Sequence, residues 1–105
     1  MSEILEQLEH VLAQRKTESP DKSYVASLYN KGLNTILKKI GEEATETVIA
    51  AKEGNKEQII YEMADLWFHC MVLLADQNLN SGQVLSELQR RFNLSGLEEK
   101  ARRTS

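Results

Sequence analysis

Residues 33–77 read LNTILKKIGEEATETVIAAKEGNKEQIIYEMADLWFHCMVLLADQ. Two helix-forming runs flank the pair Gly54-Asn55. In the first, Leu33 to Glu53, the residues Leu33, Ile36, Leu37, Ile40, Ala44 and Val48 recur at helical spacing and are expected to lie inside. In the second, Lys56 to Gln77, the same role falls to Ile59, Ile60, Met63, Leu66, Trp67, Cys70, Leu73 and Leu74. So short a break makes the two helices antiparallel neighbours. Gly41 is an isolated glycine inside the first helix, where it costs about 1 kcal/mol against Ala. Either something approaches it closely or it is a tolerated weak spot.

Shorter elements surround this hairpin. Ile4, Leu5, Leu8, Val11 and Leu12 form the stripe of an amphipathic helix from about Glu3 to Lys16, with Ser2 as its expected cap. Thr17 to Lys22 contains the only Pro, at position 20, and reads as a turn. Ser23 to Asn30 reads as a short helix ended by Asn30-Lys31-Gly32. Asn78 to Ser81 is a turn, with Ser81 expected to cap a helix that ends near Phe92. Ser95 and Glu98 have capping-box spacing for a last short helix. The expected fold is all-α: an antiparallel helical hairpin bundle, one domain over residues 1–105, with a tail from about 100 that frays.

Composition agrees and excludes alternatives. With one Pro and five Gly in 105 residues, the chain lacks the turns of a many-stranded sandwich or barrel. The single Cys70 excludes an internal disulfide framework and a Cys-rich zinc site. No apolar run is long enough to span a bilayer. The acidic N-terminal segment does not read as a leader, so a cytoplasmic location is expected. A net charge of −3 gives no overall attraction to nucleic acid. The charge is uneven, however. Glu42 to Asp65 holds seven acidic residues against two lysines, whereas Arg90 onward holds five basic against two acidic.

The acidic excess has a pattern. Glu42, Glu43 and Glu46 share one turn of the first long helix, and Glu62 and Asp65 share one turn of the second. In a hairpin pivoting at residue 54, Glu46 comes level with Glu62 and Glu43 with Asp65, roughly 12–17 Å from the turn. The next rung pairs Lys39 with His69. Carboxylates converging in this way need a cation or raised pKa values. Oxygen-only ligands suit Mg²⁺ or Mn²⁺, which also accept phosphate oxygens. A solvated glutamate face is the alternative reading of the same spacing. A di-iron centre is not indicated, because Gln7 and Leu66, not Glu, precede His10 and His69 by three residues.

The run Glu42-Glu43-Ala-Thr-Glu46, followed after fifteen residues by Glu62-Met-Ala-Asp65, resembles the EExxE…ExxD pattern of the MazG-like all-α nucleoside-triphosphate pyrophosphatases. Ser23-Tyr24, Lys31-Gly32-Leu33, the segment from Lys39 to Ala44, the segment from Ala64 to His69 and the segment from Arg91 to Lys100 are similar to the phosphoribosyl-ATP pyrophosphatase family of histidine biosynthesis. This resemblance implies hydrolysis of 1-(5-phosphoribosyl)-ATP to the AMP form and pyrophosphate, with Mg²⁺ (or Mn²⁺) and a homodimer or larger assembly. It also implies the stand-alone form, since the chain has no room for a fused cyclohydrolase. A house-cleaning pyrophosphatase for non-canonical nucleoside triphosphates, working through the same carboxylates, is the second expectation. A non-catalytic helical interaction module is the third.

Carried onto this chain, the resemblance makes Glu43, Glu46, Glu62 and Asp65 metal ligands, and Glu42 a further ligand or the base for the attacking water. Glu42, Glu43 and Glu46 form the expected catalytic set. Lys39 either holds a phosphate or pairs with Glu43 one turn away. His69 is either a satisfied buried histidine or a substrate contact. Lys31, Arg91 and Arg102 are candidates for the substrate's phosphates, as are Arg90, Lys100 and Arg103; each is otherwise a solvated cation. Tyr24 and Tyr29 either stack on adenine or pack in the core, and Trp67 and Cys70 are expected to pack.

Overall fold

The computed structural model describes residues 2–93 and residue 100. Expectations for Ser95–Glu98, Arg102, Arg103 and the end of the tail lie outside them. The described elements are all helical: α1 (Ser2–Gln14), α2 (Tyr24–Lys31), α3 (Leu33–Glu53), α4 (Lys56–Asp76) and α5 (Ser81–Phe92). A 3₁₀ turn, Arg15–Thr17, follows α1 where a longer helix was expected. None of these helices is long and apolar enough to cross a membrane.

The breaks have local causes. Ser23 caps α2, its hydroxyl accepting from the Ala26 N–H at 3.1 Å. Gly32 has φ 99° and Gly54 φ 74°, left-handed values that a residue with a Cβ rarely adopts. Gly54 thereby ends α3, and the Asn55 side chain accepts from the Gln58 N–H at 3.1 Å to start α4. The hairpin turn is thus built by two consecutive residues with opposite capping roles.

Two expected caps are corrected. α1 already includes Ser2. The cap of α5 is Asn80, not Ser81: its side chain accepts from Gln83 N–H at 3.0 Å, and Gln83 Oε1 accepts from Asn80 N–H at 2.9 Å. Asn80 is extended and can turn back onto the helix, whereas Ser81 is buried and its N–H donates to the Glu9 carboxylate of α1.

The core lies at the open end of the hairpin. Leu12 of α1, Val25 and Leu28 of α2, Ile36 of α3, and Met71 and Val72 of α4 pack together there. Leu5, Leu8, Tyr29, Ile40, Phe68, Leu73 and Leu74 flank them. Tyr29 is core-bound as well, its hydroxyl donating to the Leu12 carbonyl at 2.9 Å. Leu33 and Leu37 near the start of α3, and Val48, Ile60 and Met63 nearer the turn, all expected inside, are exposed, because among the described residues each long helix buries one stripe and leaves its other faces uncovered. Trp67 is corrected likewise. It is 59% exposed and, with Cys70, lines an open apolar groove of about 360 Å³ between α4 and α5. A Cβ added to Gly41 would meet open space, so within the described chain nothing approaches that glycine. The radius of gyration, 16.0 Å, exceeds the roughly 13 Å of a compact domain of this length.

Candidate metal centre

The carboxylates sit midway along the hairpin, between the core and the turn. The spacing of three residues between Glu62 and Asp65 points both into the α3 seam, where Glu43 meets them. One oxygen from each of Glu43, Glu62 and Asp65 lies within 4.8 Å of the others. Glu43 is 3% exposed and Glu62 9%. Each keeps a buried oxygen with no hydrogen-bond partner, Glu43 Oε2 and Glu62 Oε1.

Buried carboxylate oxygens without donors are costly, and here they share one small volume with a third carboxylate. The electrostatics show the strain. Burial first, then the adjoining Asp65 carboxyl, push Glu43 up to about 7. Glu62, beside it, raises the pKa of the exposed Glu46. The level pairing of Glu43 with Asp65 and Glu46 with Glu62 is therefore present in the structure. An all-oxygen set with two orphaned lone-pair positions fits a hard divalent cation such as Mg²⁺ or Mn²⁺.

The other oxygens of the two buried glutamates are held. Lys39 Nζ lies 3.4 Å from Glu43 Oε1 and 3.7 Å from the exposed Glu42. Burial lowers the Lys39 pKa, but Tyr24 and these carboxylates outweigh that and raise it, keeping the ammonium charged. Gln58 Nε2 donates to Glu62 Oε2 at 2.9 Å. His69 is buried and uses both ring nitrogens. Nδ1 donates to the Asp65 carbonyl at 2.8 Å, and Nε2 accepts from Tyr24 Oη at 2.8 Å. That carbonyl can only accept, so Nδ1 carries a proton, and in the neutral ring Nε2 is left as the acceptor for Tyr24. The expected rung is thus split: Lys39 turns to Glu42 and Glu43, and His69 to Tyr24 and Asp65. Gln58 was missed in the sequence, although its place four residues before Glu62 was the available signal.

The expected basic partners are placed elsewhere. Arg91 lies on α5 and pairs with Glu87 at 3.1 Å; Arg90 pairs with the same carboxylate. Lys31 is exposed at the end of α2 and Lys100 is exposed; Arg102 is not among the described residues.

Fold and site together define a class: all-α proteins that converge carboxylates across a helical hairpin. Residues 5–92, which contain all of these carboxylates, match the family model described as phosphoribosyl-ATP pyrophosphohydrolase. A phosphoribosyl-ATP pyrophosphatase of Methylococcus capsulatus is 70% identical over 101 residues, covering 96% of each chain. One of Hydrogenovibrio crunogenus is 59% identical over 107 residues, covering 98% of this chain and 95% of the relative. One of Vesicomyosocius okutanii is 56% identical over 105 residues, the whole of both. The chain belongs to the phosphoribosyl-ATP pyrophosphohydrolase family.

Proposed function

We propose that this chain hydrolyses 1-(5-phosphoribosyl)-ATP to 1-(5-phosphoribosyl)-AMP and pyrophosphate, the second step of histidine biosynthesis, in the cytoplasm and with Mg²⁺. The observation that carries the metal dependence is the pair of buried, partnerless oxygens on Glu43 and Glu62 beside Asp65. Family membership carries the substrate.

Glu43, Glu62, Asp65 and the exposed Glu46 would hold the ion, and Mn²⁺ would substitute. Bound there, it would supply positive charge against which the substrate's phosphate oxygens are neutralised and polarised. Lys39 adds a fixed cation at the edge of the layer, suited to the charge that develops on the leaving pyrophosphate. Glu42, on the solvent side of Lys39, takes the proton from the attacking water. Water adds across the α–β phosphoanhydride, its oxygen bonding to one phosphorus as the bridging P–O bond breaks, to leave phosphoribosyl-AMP and pyrophosphate. Gln58 holds the Glu62 carboxylate in place.

Residues 1–105 act as one catalytic domain within a homodimer. Val48, Ile49, Ile60, Met63 and Trp67 are exposed on the two long helices, and the protomer is more extended than a closed domain. A second copy covers these residues and brings cations to the site.

The test is turnover of phosphoribosyl-ATP against a panel of nucleoside triphosphates, with Mg²⁺ titrated from zero. Phosphoribosyl-ATP is expected to be the preferred substrate, with no activity in chelator. Turnover of ordinary or non-canonical triphosphates without phosphoribosyl-ATP overturns the reading.

A further inference from the structure

Tyr24 stands where the core ends and the carboxylate layer begins. It is the first residue of α2, and its backbone is fixed by the Ser23 cap and by Ser27 Oγ, which donates to the Tyr24 carbonyl at 2.6 Å. Its side chain reaches across to α4, where the hydroxyl meets His69 Nε2 at 2.8 Å and the two rings stand edge to face, 5.8 Å apart and at 85°. Phe68 braces the imidazole from another side, 5.4 Å away at 80°. Despite these ties Tyr24 is 51% exposed. It also lies within electrostatic reach of the site: burial raises its pKa, Lys39 opposes this, and Asp65, Glu43 and Glu42 add to it.

A half-exposed phenol can bond to water and does not need a buried imidazole. The link therefore does more than satisfy the tyrosine. It sets the ring's orientation, because His69 is itself locked by Phe68 and by the Asp65 carbonyl. It also removes one option. With its proton committed to His69 Nε2, Tyr24 has none to give to a phosphate. What it offers at the edge of the anionic layer is an aromatic surface, and the complement to that is a flat aromatic group.

We propose that His69 is a positioning residue acting through Tyr24, whose ring forms the wall against which the substrate's purine base stacks. The assignment rests on the reading of a nucleotide substrate. The phosphate end belongs to the carboxylate layer and Lys39, and the base end to Tyr24.

The test separates base from phosphate. ATP and inorganic tripolyphosphate share the phosphate chain and differ in the nucleoside. Their binding is measured calorimetrically with Ca²⁺, alongside KM and kcat for phosphoribosyl-ATP. Tyr24→Leu is expected to weaken ATP about tenfold, the scale of one base–aromatic stack, and to leave tripolyphosphate within about twofold. KM should rise to match, with kcat changed less than about twofold. Tyr24→Phe keeps the ring and loses the tether, so it should weaken ATP only about threefold. His69→Leu should weaken ATP by a similar factor in the native background and add nothing in the Tyr24→Phe background.

Equal loss of ATP and tripolyphosphate, no loss of ATP in Tyr24→Leu, or additive effects of His69→Leu and Tyr24→Phe would each overturn the assignment. If His69→Leu fails to fold, the comparison of Tyr24→Leu with Tyr24→Phe still decides the stacking. The native protein's turnover of phosphoribosyl-ATP is a separate measurement. Its absence would sink the proposed function, while a Tyr24-dependent preference for ATP over tripolyphosphate would still support the base wall.

Discussion

Two glutamates in this chain have opposite fates. Glu43, in the hairpin seam, is buried among carboxylates and pushed up to about 7. Glu87, on α5, is held by Arg90 first and Arg91 next, and falls to about 2. Around Glu87 two guanidiniums supply donors to one carboxylate within one helical turn, and that carboxylate asks for nothing more. Around Glu43, among the described residues, Lys39 pairs with two carboxylates of a cluster of five, and two of the five keep a buried oxygen without a partner. The first arrangement is complete as folded, and the second leaves two oxygens without partners, as the proposed cation site requires. The contrast separates a structural ion pair from a ligand site more sharply than the count of acidic residues does.

The largest effect should come from the incomplete cluster. Glu46→Gln is expected to lower Mg²⁺-dependent hydrolysis at least about a hundredfold while the circular dichroism spectrum is unchanged, because removing one charge from mutually repelling carboxylates does not weaken the metal-free fold. Full activity in Glu46→Gln would end the metal assignment. Gln58→Leu tests the support of that site. The Gln58 amide holds Glu62 Oε2, and losing such a partner typically costs ten- to a hundredfold in metal affinity. An increase of at least about tenfold in the Mg²⁺ concentration for half-maximal activity is expected. Substrate KM at saturating Mg²⁺ should change little.

Much of this site was legible because helical geometry is periodic. Gly54-Asn55 fixed the pivot, and the level rungs Glu43–Asp65 and Glu46–Glu62 followed from it. Burial was less legible. Periodicity marks which residues share a helix face, but not whether another element covers that face. Leu33, Leu37, Val48 and Trp67 have core spacing and stand exposed because, among the described residues, no helix fully covers the faces of α3 and α4 that carry them. The Tyr24–His69 tie was out of reach for a different reason. Its partners are 45 residues apart on different helices, and no local rule pairs them.

A smaller effect should appear in the pH dependence of the metal-free protein. Glu43 has a folded pKa above its unfolded one, so its contribution to stability is fully present below about 4.5 and lost as pH rises through about 7. The melting temperature without metal should therefore fall by a few degrees between pH 5 and pH 8. Mg²⁺ should reverse the loss at pH 8, and Glu43→Gln should flatten the slope. A metal-free protein that melts higher at pH 8 than at pH 5 would contradict the crowding of charge at Glu43.

The smallest effect belongs to the arginine-paired Glu87, and the sign there is opposite. Glu87 has a folded pKa below its unfolded one, so its contribution is present above about 4.5 and lost as pH falls through about 2. Both arginines and Glu87 are substantially solvent-exposed, at 38%, 50% and 44% of their side chains, so water and salt screen the pairs. Glu87→Gln at neutral pH should lower the melting temperature by no more than a few degrees, and less in 0.5 M NaCl. The Mg²⁺ requirement should not move. A large loss of activity in Glu87→Gln would mean that Arg90 and Arg91 serve the substrate and that Glu87 holds them for it, which would join the two regions into one site.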